Sequence, residues 1–289
     1  MKLGVTAANG KLGTAILSKA IKVLGSENVI AFARSPEKCT TEGIEVREGD
    51  YHNKEHFVNG LKDIDTLILI SGMDAPDDRI VAHRNVIEAA KQCGVSKIIY
   101  SSIFGTSGAE MFDAIINSNR QTEKDIQDCG IDYVIGRNGL YLEADLEAIE
   151  HYVKAGKISN CAGEGRCMYT TRIELAEVYL ELAQNDTLKN KIYNLGGNSV
   201  KQSDLVNSIN HIYGTNLVYE EVSVEDYKKD RLAAHGEFLG NIIAGIYVGI
   251  KNGTFDCQSD FKEIMGRKHL NMLKSIEYFR FQNPELLPK

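Results

Sequence analysis

The sequence predicts an α/β protein built on a doubly wound parallel sheet, with a smaller, mainly helical C-terminal lobe. Three observations carry this. Short apolar runs such as "NVIAFAR", "DTLILIS" and "KIIYSSI" lack the polar alternation of a half-exposed sheet, so their strands are covered on both faces. Many are followed by a longer stretch of helical period, which makes them βαβ units. The first strand and the first helix are joined by a glycine-bearing turn in "GVTAANGKLGTA".

In chain order, "KLGVTA" is the first strand and "GTAILSKAIKVL" its helix, followed by strands at "NVIAFAR" and "GIEVREGD". "DTLILIS" leads into the helix "HRNVIEAAKQCG", "KIIYSSI" into "NRQTEKDIQDCG", and "DYVIGRNG" is the sixth strand. Right-handed crossovers then align the carboxyl ends of the strands along one edge, where ligands of such sheets bind. Past Tyr141 the pattern loosens. "DLEAIEHYVKAGK" reads as one helix and "TRIELAEVYLELAQ" as another, with Thr171 and Glu174 in capping-box spacing that makes Glu174 structural. "NKIYNLGG" is one more strand, and from Asn198 onward helices are broken by glycines. The expected division is residues 1–138 with 166–197 as the nucleotide-binding domain, and 139–165 with 198–289 as the lobe over the strand ends.

Composition narrows the function. The chain has 289 residues, 43% hydrophobic and 25% charged, with a formal net charge of -7. An acidic chain lacks the overall basic field that nucleic-acid binding draws on, so no nucleic-acid partner is expected. The six cysteines form no C-x-x-C pair and read as reduced thiols without a metal. No secretory pattern opens the chain, and "FLGNIIAGIYVGI" is shorter than the roughly 20 residues a span needs. A cytoplasmic protein without a membrane partner is the expectation.

The opening turn carries the first chemistry. A pyrophosphate cradle needs backbone N–H groups unobstructed by side chains at a helix N-terminus, and Gly10 and Gly13 supply that. Ala7 stands where the first glycine of such a loop is expected; Asn9, tolerant of left-handed backbone, is expected to carry the turn. At the tip of the second strand, where a carboxylate would mark NAD, Arg34 appears, with Lys38 one turn on. That pattern favours the 2′-phosphate of NADP(H). Asp50, Tyr51, Ser71 and Gly72 end the next two strands on the same edge, Asp50 facing adenine and Ser71 and Gly72 the ribose. Ser101 and Ser102 end the fifth strand, where short-chain dehydrogenases keep a serine. The Tyr-x-x-x-Lys those enzymes use for proton transfer is missing: Ile115 and Asn119 hold its places. The same spacing at Tyr247 and Lys251 falls in the C-terminal lobe.

Together "TAANGKLG", "ARSPEK", "GDY", "GRNGLY" and "GKISNCAGEGRCMYTTRIELAEVYLELA" resemble the NmrA-like branch of atypical short-chain dehydrogenases, Rossmann-like proteins that lack the usual tyrosine and lysine. Within it the chain is similar to bacterial NADPH-dependent quinone oxidoreductases and triphenylmethane reductases. It departs from the family at Ala7 and Asn119. The resemblance implies that "RNGLY" borders the nicotinamide and the substrate pocket, with Asn138 and Tyr141 positioning the acceptor. The cofactor set is then Thr6, Asn9, Gly10, Lys11, Leu12, Gly13, Arg34, Lys38, Asp50, Tyr51, Ser71, Gly72, Ser101 and Arg137. Phe104, Tyr141, Phe238 and Tyr247 are candidate walls of an apolar cleft, and "HGEFLGNIIAGIYVG" its lid. The implied activity is hydride transfer from NADPH to a small quinone-like acceptor, with a homodimer as the candidate assembly. The alternative is an NADP(H)-sensing regulator without turnover. A nucleotide-sugar epimerase or dehydratase would need the absent tyrosine.

Overall fold

The computed structural model describes residues 1–286. Seven strands, β1 (Leu3–Val5), β2 (Val29–Ala33), β3 (Glu45–Glu48), β4 (Thr66–Ile70), β5 (Lys97–Ile103), β6 (Asp132–Asn138) and, after three strands outside this sheet, Lys191–Leu195, form the central sheet. The outside strands are β7 (Leu140–Tyr141), β8 (Lys157–Asn160) and β9 (Arg166–Thr170), so Lys191–Leu195 is β10; β11 (Ser199–Lys201) and β12 (Val218–Glu221) follow. Across the central sheet the order is β10-β6-β5-β4-β1-β2-β3, and every pair is parallel. The order reverses between β1 and β4, which opens a crevice beyond their carboxyl ends.

Helices cover both faces. The helices are α1 (Lys11–Leu24), α2 (Lys54–Gly60), α3 (Pro76–Cys93), α4 (Asp113–Asp128), α5 (Leu142–Leu146), α6 (Ile149–Ala155) and α7 (Arg172–Gln184). The later ones are α8 (Gln202–Tyr213), α9 (Val224–Lys251), α10 (Phe261–Met265) and α11 (Met272–Gln282). On one face Ile16, Leu17 and Ala20 of α1 and Leu175, Val178 and Leu182 of α7 pack on Val5, Ala31, Ile68 and Val134. On the other, Phe57, Val86 and Ile126 pack on Phe32, Leu67, Leu69 and Tyr100. Strands buried from both sides need apolar residues at consecutive positions, which is why their sequences do not alternate. Each fully buried aliphatic side chain contributes about 1.5–3 kcal/mol.

A second core gathers Leu142, Leu146, Ile149, Cys167, Tyr169, Leu205, Ile250 and Phe255 in the C-terminal lobe. Strand β9 pairs with β7 and β11 in a three-stranded sheet, and Cys167 and Tyr169 enter this second core. The expected single helix over "DLEAIEHYVKAGK" is two, α5 and α6, because Glu147 and Ala148 turn between them. The region past Asn198 is not wholly helical: β11 completes the small sheet and β12 pairs with β8. The expected lid, residues 235–249, is the second half of α9, which is broken at Gly236 with φ 77°; Phe238 and Leu239 just past the break are exposed. Among the described residues no helix is long and apolar enough to cross a membrane.

Candidate functional site

The crevice between β1 and β4 is bordered by the turn from Thr6 to Gly10. Its left-handed residue is Ala7, with φ 48°, and not Asn9, whose side chain instead donates to the Ser35 carbonyl at 2.9 Å. The turn is closed by Gly10 N–H donating to the Ala7 carbonyl, also at 2.9 Å. A Cβ on Gly13 would stand 2.4 Å from that carbonyl oxygen, and one on Gly10 would stand 3.2 Å from it. The two glycines thus let the turn pack backbone to backbone on the N-terminus of a 14-residue helix. That geometry fits a pyrophosphate. Replacing Ala7 by glycine should raise the melting temperature by about 2 °C, since a left-handed alanine costs about 1 kcal/mol. Glycine's greater freedom in the unfolded chain offsets a part of this. A thermal scan showing a fall would overturn the assignment of strain to Ala7.

Arg34 and Lys38 are both exposed beyond the end of β2, and neither has an ion-pair partner among the described residues. Asp50 follows β3; its Oδ1 accepts from His52 N–H at 3.1 Å in a tight turn. Other residues predicted with them are bonded within the protein. Thr6 is fully buried: its Oγ1 donates to the Ile68 carbonyl and accepts from Ile70 N–H, and the Tyr51 hydroxyl donates to the Ile70 carbonyl. Both hydroxyls knit the crevice together, because buried polar groups must be paired. Leu12, in the first turn of α1, is buried. Ser101 Oγ accepts from Ser71 N–H at 3.0 Å, and Ser71 Oγ donates to Asn119. The Arg137 guanidinium is bound to Glu123. These residues are tied together by internal hydrogen bonds at the strand ends.

Sequence reasoning missed the groups that hold these strand ends. Glu123, 3% exposed, accepts from Ser102, Arg120 and Arg137, joining β5, α4 and β6. His83, buried in α3, accepts from Gly72 N–H at 2.9 Å through Nε2, and its Nδ1 pairs with Thr122 at 3.0 Å. Burial beside Arg79 pushes its pKa down to about 3, so it is neutral and able to accept. Asn119, in the place of the missing lysine, accepts from the Tyr100 hydroxyl at 2.6 Å. Only the pairing across elements reveals these roles.

At the end of β6, Asn138 is held from both sides. Its Oδ1 accepts from the Tyr179 hydroxyl at 2.7 Å, and its Nδ2 donates to the Tyr141 hydroxyl at 3.1 Å. Tyr141 therefore keeps its own proton uncommitted among the described residues, and burial raises its pKa, so the hydroxyl stays neutral. Of the other cleft candidates, Phe104 is buried, and Phe238 stands 53% exposed just past the break in α9. Tyr247 donates to Asp145, whereas Lys251 points to Glu221, so their spacing is not a catalytic pair.

A family model described as NAD(P)H-binding matches residues 7–186, well over half of the chain. Quinone oxidoreductase 2 of Escherichia coli is 27% identical over 283 residues, which cover 96% of this chain and 98% of that protein. The solved structure of Citrobacter triphenylmethane reductase complexed with NADP(H) superposes with a TM-score of 0.86 at 28% identity, covering 96% of this chain and 100% of the other. A Staphylococcus aureus structure described as a nucleoside-diphosphate-sugar epimerase gives 0.87 at 26% identity, with 96% and 100% covered.

Proposed function

Because the chain belongs to the NAD(P)H-binding family, in its NmrA-like branch, we propose that it is an NADPH-dependent reductase acting on a quinone or a similarly conjugated acceptor. One observation carries the choice of acceptor. Where an alcohol dehydrogenase or epimerase needs a tyrosine of lowered pKa beside a lysine, this chain has the buried Ile115 and an Asn119 already bonded to Tyr100 and Ser71. Without that pair an unactivated alcohol cannot be deprotonated. A conjugated acceptor is electrophilic unaided, and its reduced oxygens take protons from weak acids or water.

Bound NADPH supplies the hydride. The chain's own residues do the rest. Gly10 and Gly13 keep side chains off the pyrophosphate path, and Arg34 and Lys38 offer two positive charges to a 2′-phosphate. Asn138 holds the Tyr141 Oη, whose proton is available to an acceptor oxygen on which negative charge grows. The reading is tested by following NADPH oxidation with a benzoquinone. Arg34→Ala is expected to raise the KM for NADPH about tenfold, the loss of one charge-assisted hydrogen bond, while leaving that for NADH nearly unchanged. Cofactor binding with no turnover on any quinone would replace the enzyme by a sensor.

A further inference from the structure

One contact at the cradle works against the ligand. Lys11 is the first residue of α1, whose first turn holds no acid. A cation there opposes the helix dipole, so the helix alone gives no reason for it; an anion seated on the N-terminus would. In the structure the anion is an internal one. Lys11 Nζ lies 2.6 Å from Glu147 Oε2, and the other oxygen of Glu147 accepts from Arg172 at 2.9 Å. Glu147 comes from the turn between α5 and α6, in the other lobe and far along the chain. The three side chains border an open cavity of about 360 Å³ between α1, α7 and α11, which Asn9 also lines. Lys11 is 65% exposed and Glu147 35%, so the pair can exchange partners with little repacking.

We propose that Glu147 sets the affinity for the dinucleotide by competing with its pyrophosphate for Lys11. The inference rests on the cofactor reading given above. With Glu147 in place, a pyrophosphate arriving on α1 must displace a carboxylate from Lys11 and then lie near it. Arg172, which keeps its hold on the other oxygen, retains Glu147 close by. The ion pair thus weakens cofactor binding and speeds release after turnover.

The test is NADPH binding, followed by the fluorescence of the reduced nicotinamide, for the intact chain, Glu147→Gln, Lys11→Gln and the double variant. Glu147→Gln is expected to tighten binding about three- to tenfold, Lys11→Gln to weaken it, and the gain from Glu147→Gln to shrink in the Lys11→Gln background. Adenosine 2′-monophosphate, which has the 2′-phosphate and no pyrophosphate, should bind the intact chain and Glu147→Gln alike. A merely structural Glu147 would lower the melting temperature and not tighten binding. Equal or weaker NADPH affinity in Glu147→Gln, with the intact chain binding normally, overturns this inference alone. Failure of the intact chain to bind NADPH overturns it together with the cofactor reading.

Discussion

Asp145→Ala is expected to destabilise the protein by about 4 kcal/mol, read as a lowered urea midpoint. Asp145 is 4% exposed and accepts from three tyrosine hydroxyls: Tyr169 at 2.9 Å, Tyr247 at 3.1 Å and Tyr152 at 3.2 Å. These come from β9, α9 and α6, so one carboxylate on α5 fastens the C-terminal lobe. Removing it strands hydroxyls in a dry interior, at about 1–3 kcal/mol each where no water enters. Asp145→Asn should cost much less, since the amide oxygen still accepts. Burial raises the Asp145 pKa, and the three hydroxyls offset only a part of that. The sign follows. A carboxyl group whose pKa is higher folded than unfolded favours folding in its protonated form. Its contribution is fully present below the ordinary value near 3.9 and is lost as pH rises through the raised folded value. Asp145→Asn should therefore flatten the fall in stability over that window. An alanine variant within about 1 kcal/mol of the parent would mean that the tyrosines find other partners.

Gly13→Ala should have the largest effect on the cofactor site. Helix propensity alone would favour alanine by about 1 kcal/mol, but the new Cβ would stand 2.4 Å from the Ala7 carbonyl oxygen and 3.0 Å from its carbon. The obstacle is backbone, so no rotamer change relieves it. Either α1 moves away from the turn or the turn opens, and the carbonyl that closes it onto Gly10 is lost. The expected result is a net loss of about 2 kcal/mol in stability and at least a tenfold weaker NADPH affinity, measured by chemical unfolding and by titration. Gly10→Ala, facing the same oxygen at 3.2 Å, should be milder on both. Full affinity in Gly13→Ala would show that the pyrophosphate does not depend on this cradle.

Local chemistry was enough for the half of the molecule that repeats. Apolar runs without alternation, each leading to a helix, specify a parallel sheet because only strands covered on both faces can be apolar throughout. Arg34 and Lys38 at the tip of β2 were legible for a similar reason, since a charge at a strand end has its position set by the topology alone. The Thr171 cap is also local: its side chain accepts from Glu174 N–H. Glu174 itself, however, is bound to Arg267, which no spacing announces.

Tertiary structure decided which polar residues at the strand ends are paired within the protein. Thr6, Tyr51, Ser101 and Arg137 lie on the ligand edge in sequence, yet each is consumed by a partner on another element. Short strands such as β7, β8 and β11 carry too few residues for a period, and exist because the second core pairs them. Ala7 adopts its left-handed φ although its own chemistry disfavours it, since β1 and α1 leave no other path between their ends. Local preferences cost about 1 kcal/mol to override; the packing of a sheet and its helices outweighs them many times over.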